Sequence, residues 1–276
     1  MTARAATVWF IDSPDPAGDL RAAVRPSDGV PRTPHDVGHA RQLASGIYGD
    51  SVLVPVVDTD LASAAAARDN HVYAGFYGPL AVVSCSLFET TTPSTLSRTL
   101  SAIRPSSVIT LLYVEPETAF GAFARWEHGT LRRSFSADPV TIHEDEGLPF
   151  TFEGPFWGGE FPLSVTDGLG TAPMALPFHP GQLAEEANRS WLGFRYTHPL
   201  APHDLDPADI TVTCFSLHPA EYEPTDEDHE AYRAATAARF DGHSARVEQR
   251  PPAHPEEHAG QGGRRKRGRI REYFGF

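Results

Sequence analysis

The residues best able to do chemistry gather between positions 143 and 179. His143, Glu144, Asp145 and Glu146 are four consecutive potential metal ligands. In an extended chain His143 and Asp145 share one side, and Glu144 and Glu146 the other. Metal sites need three or four convergent donors, so Glu153, Glu160 or His179 would have to join them. The competing reading is an exposed acidic turn ahead of Gly147, and neither metal nor cofactor is expected. Glu153, Trp157, Glu160 and His179 make a better cleft set. Carboxylates and a histidine beside aromatics could hold a polar ligand or tune a carboxyl for acid–base work. With Trp126 and Glu144 they are the ligand-binding candidates. Against this stands an aromatic plug, with Phe156, Trp157 and Phe161 closing a sheet edge and His179 capping the helix that starts at Pro180.

Asp12, Asp58 and Asp60 follow the first two apolar runs and are secondary candidates. If those strands were parallel neighbours, their carboxylates would converge where α/β ligands sit; turn and capping chemistry explains them equally. No Gly-rich phosphate loop follows either run. There is no Gly-x-Ser-x-Gly, and neither Cys85 nor Cys214 has a local activating context. His198 and His203 flank Pro-Leu-Ala-Pro, which reads as a loop.

Several elements must position these residues. Thr7–Ile11 is a continuous apolar run, hence a buried strand, and 13–32 reads as an irregular polar loop. Thr33, Pro34 and Asp36 signal a helix start, followed by the stripe Val37, Ala40, Ala44 and Ile47 and a stop at Gly49. With Val52–Val57 as the next strand, this suggests one βαβ unit. Leu61–Arg68 reads as a short helix, and Val72–Tyr77 and Leu80–Phe88 as strands split by Gly78-Pro79. A third helix runs over 93–103. Phe120–Trp126 and Leu131–Phe135 form a hairpin across Glu127–Thr130, with Phe120, Ala122, Ala124 and Trp126 on one face and Phe123 and Arg125 on the other. Leu183, Ala187 and Trp191 recur every four residues ahead of Gly193, which marks a further helix. Ile210–Leu217 is a last strand, and Thr225–Phe240 a helix with acids first and arginines later.

The runs WEHGTLRRSFS, EDEGLPFTFEGPFWGGEFP and LPFHPGQLAEEANRSWLGF carry a pattern. It comprises Trp126, Gly129, Arg133, Ser134, Glu144, Gly147, Pro149, Phe150, Glu153, Trp157, Gly159, Glu160, Phe178, His179 and Pro180. Over about residues 72–217 it resembles a family of bacterial proteins defined by a domain of unknown function, mostly from high-GC Gram-positive bacteria. The resemblance implies a soluble, intracellular, single-domain protein and brings no activity with it.

Composition narrows the function classes. A chain of 276 residues, 40% apolar, can bury a sizeable core. Its net charge is −13. The tail 262–276 carries six basic residues and Glu272, a balance of +5, which leaves −18 on the rest. So acidic a body repels nucleic acid and anionic membrane. A weak polyanion contact is expected only through Arg264, Arg265, Lys266, Arg267, Arg269 and Arg271. The apolar run before Asp12 is too short for a signal-peptide core, so a cytoplasmic protein is expected; Cys85 and Cys214 could form one disulfide on parity alone, but without an export signal two buried free thiols are the expectation.

The expected fold class is α+β, a mixed, largely antiparallel sheet with helices packed on it and the N-terminal βαβ unit. Residues 1–220 would form one globular domain, 221–241 an appended acidic helix, and 242–276 a disordered tail with a basic-aromatic C-terminus. The expected function is a non-enzymatic cytoplasmic module that binds a small ligand or a protein partner through the 143–179 surface. One alternative is a metal-independent acid–base enzyme using Glu153, Glu160 and His179. The other is a tail-mediated interaction protein with an inert body.

Overall fold

A computed structural model of the chain describes residues 5–24, 35–67, 70–163 and 175–248; the basic tail lies outside them. Among these residues nine strands form one sheet: β1 (Ala6–Ile11), β2 (Val52–Asp60), β3 (Val72–Tyr77), β4 (Leu80–Cys85), β5 (Val108–Glu115), β6 (Phe120–Glu127), β7 (Thr130–Ala137), β8 (Ile142–Gly147) and β9 (Thr211–His218). Their order is β2-β9-β3-β4-β1-β5-β6-β7-β8. Helices α1 (Pro16–Val24), α2 (Val37–Tyr48), α3 (Leu61–Ala66), α4 (Ser97–Ile103), α5 (Gly154–Trp157), α6 (Pro180–Leu192) and α7 (Asp226–Glu248) accompany it. The class is α+β, as expected.

The sheet is antiparallel throughout, not mixed, and the βαβ unit is absent. β1 lies at the centre between β4 and β5, while β2 is an edge strand well away from it. Sequence chemistry accounts for the difference. Every residue of β1 is buried, so it needs cover on both faces. Pro55 cannot donate to a ladder, which confines its strand to an edge, and the register of β2 against β9 slips between Pro55 and Val57.

The segment 13–32, expected as a loop, contains α1. Asp15 accepts a hydrogen bond from the Gly18 N–H at 3.0 Å and Pro16 takes the first helical position, a helix start that the Asp-Pro pair encodes. α2 begins at Val37 with Asp36 as its cap, accepting from the His39 N–H at 3.0 Å; Thr33 and Pro34 lie outside the described residues. The helix expected over 93–103 is a tight 3-10 turn at Pro93–Leu96 followed by α4. The β6–β7 hairpin turns on His128 and Gly129, both with positive φ (49° and 76°), the backbone of the two-residue turn that matches strand twist.

Two cores flank the sheet. On one face α2 and α4 cover Val8, Phe10, Leu111, Ala124 and Trp126. On the other, α1, α3 and α6 cover Trp9, Leu112, Phe123 and Phe135, with Trp191 of α6 and Phe194 in the same core. The alternation along β6 is the expected one. Cys85 and Cys214 are buried free thiols. Cys85 belongs to the first core, whereas Cys214 alternates with Phe215 of that core and faces the other side.

The start of α6 packs directly on β6. A Cβ placed on Gly121 would lie 2.3 Å from the Pro180 carbonyl oxygen and 2.5 Å from the Gly181 nitrogen, so only glycine permits this approach. Gly121→Ala should push the helix off the sheet and destabilise the protein by about 1–3 kcal/mol, the usual effect of overpacking, measured by urea denaturation; an unchanged midpoint would contradict this packing.

Candidate functional site

The six ligand-binding candidates divide between the two faces. Trp126 is core on the α2/α4 side, 1% exposed, with no partner for its indole N–H among the described residues. Glu144 shares that side and acts as a clamp. Its carboxylate accepts from the Ser94 N–H at 3.0 Å, the Ser94 hydroxyl at 2.5 Å and the Ser134 hydroxyl, which pins the 3-10 turn to β8 and β7.

Glu153, Trp157, Glu160 and His179 belong to the opposite face, but they do not converge. Glu153 is fully buried and bidentate to Arg133, with Nε to Oε1 at 3.0 Å and Nη2 to Oε2 at 2.7 Å. Arg133 is itself fully buried; its remaining donors reach Asp145 and the carbonyls of Glu146 and Gly147. Glu153 also accepts the Phe150 N–H at 2.9 Å. This pair staples the β7–β8 ladder to the 150–157 segment, and both oxygens of Glu153 are engaged. Trp157 packs edge-on against Phe178, with ring centroids 4.9 Å apart. Glu160 is exposed on the turn after α5. His179 caps the start of α6 without a side-chain capping bond.

The residue that sequence reasoning missed is Glu185, on α6. It is 2% exposed. Its Oε2 accepts from the backbone N–H of Tyr196 at 2.6 Å and of Thr197 at 3.3 Å; Oε1 has no partner among the described residues. Burial pushes its carboxyl up to about 7, against the opposing pull of those two N–H groups, of Arg195 and of the Thr197 hydroxyl. The carboxyl lies where two cavities meet. A cleft of about 770 Å³ is lined by Phe152, Phe156 and Phe161 together with Glu186, Arg189, Arg195 and His198. A smaller cavity of about 170 Å³ is lined by Val114, Pro116, His179 and Gly181. Gln182, Glu185 and Thr197 line both. Perturbed carboxyls in concave sites are the usual mark of function.

Local sequence builds this arrangement. Gly193 closes α6 in the left-handed conformation (φ 79°), so the chain reverses and carries Tyr196 and Thr197 back over Glu185. Asn188 holds the return by donating to the Phe194 carbonyl at 2.9 Å. Asp204 accepts from Arg189 at 2.8 Å and from the Ala201 N–H at 3.1 Å.

A model of a family of unknown function, DUF6928, matches residues 5–215. The chain belongs to that family. No curated protein and no solved structure matches it. The DUF6928 span starts at β1, well before the 72–217 of the sequence resemblance, takes in α6 and Glu185, and leaves α7 outside.

Within the DUF6928 fold, Asp12, Asp58 and Asp60 do not meet. Asp12 accepts from the Ser107 N–H at 2.7 Å and pairs with Arg104 at 3.2 Å beside the central strand. Asp58 and Asp60 lie at the far edge. Asp60 caps α3 through the Ser63 N–H at 2.7 Å and pairs with Arg239 of α7. Asp58 receives hydroxyls from Thr213 at 2.6 Å and from Tyr232 of α7 at 2.9 Å. Thr213 in turn lies 2.7 Å from His35 Nε2, while His35 Nδ1 accepts the Phe76 N–H. Burial holds the His35 pKa below its ordinary value despite Asp58. No group of three or more His, Cys, Asp or Glu side chains among the described residues is placed to hold a metal. His143, at the β8 edge, pairs with Asp138 at 2.9 Å. No helix among the described residues is long and apolar enough to cross a membrane.

Proposed function

We propose that the chain binds a small organic ligand in the cleft between α5, α6 and the 195–201 return, with Glu185 as the polar anchor and Phe152, Phe156 and Phe161 as the apolar wall. The observation that carries this reading is the buried Glu185 carboxyl with an unpartnered oxygen at the wall of that cleft. An unsatisfied buried acceptor costs stability, and a ligand donor would remove that cost. The concave shape and aromatic lining favour a small molecule over a protein partner, and shift the expected 143–179 surface towards 152–201. A cytoplasmic setting, in a bacterium, is part of the proposal, and the buried free thiols suit it.

Acid–base catalysis is a second reading, favoured by one observation. A carboxyl that titrates near neutrality can both give and take a proton at working pH, and His179 lines the adjoining cavity. Glu185 would then replace Glu153 and Glu160 in the proton-transfer role.

A thermal-shift screen with metals, nucleotides and metabolites tests binding. A ligand at a hundred times its Kd stabilises by about 2.7 kcal/mol, several degrees in a domain of this size. Ala201→Trp, which fills the cleft, should abolish the shift. A hit that stabilises wild type and this variant equally, or no hit at all, would overturn the site; a hit that is chemically altered on incubation would favour the catalytic reading.

A further inference from the structure

We infer that the ligand of this cleft carries a positive charge, an ammonium or amidinium group attached to a flat apolar body. The inference rests on the proposed cleft and deepens it by charge accounting. Two arginines line the cleft and could attract an anion, but each is charge-paired with carboxylates. Arg189 pairs with Asp204 at 2.8 Å and Glu186 at 3.2 Å. Arg195 pairs through Nη2 with Glu186 at 2.9 Å, while its buried Nε lies 3.8 Å from Asp204 and has no hydrogen-bond partner among the described residues. Two guanidinium groups and two carboxylates cancel. Glu185 is the charge left over: when ionised it has no counter-ion of its own in hydrogen-bonding contact, and its Oε2 already takes two backbone donors.

An ionised carboxylate only accepts hydrogen bonds, so what Oε1 lacks is a donor. A donor that is also a cation forms the stronger, charge-assisted bond and makes the site neutral. An anion would find one unengaged guanidinium donor, the buried Arg195 Nε, and would face Glu185 and Glu186 together. The aromatic lining fits the same ligand. Phe156 and Phe161 lie with centroids 4.6 Å apart, Phe161 is 46% exposed, and aromatic faces attract organic cations.

Three matched probes test the charge: benzylamine, benzyl alcohol and benzoate, each titrated at pH 8 into the full chain. The reporters are the backbone amides of Tyr196 and Thr197, which donate to Glu185, followed by ¹⁵N NMR. Benzylamine should shift both amides saturably and bind at least tenfold more tightly than benzyl alcohol. Glu185→Gln should weaken benzylamine at least tenfold and weaken benzyl alcohol far less, because only the ammonium loses a charge-assisted bond. Equal or tighter binding of benzyl alcohol or benzoate would overturn the cationic class while leaving the cleft as a ligand site. Benzylamine shifts that survive Glu185→Gln unchanged would overturn the role of Glu185. If none of the three probes moves these amides, the cleft reading falls with the inference.

Discussion

Replacing Arg133 with Met should destabilise the protein by about 3–5 kcal/mol, the cost of leaving one partner of a buried ion pair alone. Arg133 and Glu153 are both fully buried and share two hydrogen bonds. The substitution strands the Glu153 carboxylate in the core with only the Phe150 N–H for company. In a domain of this size the loss corresponds to a fall in Tm of roughly 10 °C. The double variant Arg133→Met with Glu153→Leu should recover most of it, because a packed apolar pair replaces a buried ionic one with little loss. Urea denaturation of both variants decides the matter. A single-variant loss under about 1 kcal/mol, far below the range for a broken buried pair, would mean that the pair contributes nothing to holding the 150–157 segment on β7. The same segment carries the aromatic wall of the cleft, so Arg133→Met should also weaken any ligand found there.

Glu185→Gln should do the opposite and stabilise the protein, in a pH-dependent way. The carboxyl moves from an ordinary 4.5 to about 7 on folding. Between those values the folded state holds a proton that the unfolded state has released, so wild-type stability falls as pH rises through this window and stays low above it. Each tenfold change in proton affinity is worth about 1.4 kcal/mol, so the deficit at pH 8 is roughly 3 kcal/mol. Glutamine keeps an acceptor for the Tyr196 and Thr197 N–H groups and cannot ionise. The gain should therefore be near zero at pH 4 and reach its full size by pH 8, read as the difference between two urea curves at each pH. A residue that lowers stability while lining a cleft is the expected signature of a binding site. A gain independent of pH would point to packing, not ionisation.

Much of this architecture is legible in the residues. The unbroken apolar run of β1 demands a central place, the Gly turn at 128–129 fixes a hairpin, and the four-residue stripe ending at Gly193 gives α6. α1 was also encoded, in Asp15-Pro16, but a stretch rich in small and charged residues hides its short stripe of Leu20, Ala23 and Val24. The βαβ expectation failed because local order says nothing of which strands pair; Pro55 was the sign that β2 belongs at an edge. The site was harder still. Glu144 and Glu153 stand out as carboxylates among aromatics, yet such residues are equally the internal clamps of a sheet. Their partners, Ser94, Ser134 and Arg133, are 10 to 50 positions away. Glu185 looks like the ordinary polar flank of an amphipathic helix. Its burial exists only because the chain turns at Gly193 and returns over it, and no periodicity within α6 records that return.

All of these expectations concerning the cleft depend on one group. A ¹³C NMR titration of the Glu185 side-chain carboxyl, assigned by its absence in Glu185→Gln, measures that group directly in the free protein. A midpoint near 7 is the predicted result. A midpoint between about 4 and 5, where a solvated glutamate titrates, would contradict a buried, ligand-anchoring Glu185.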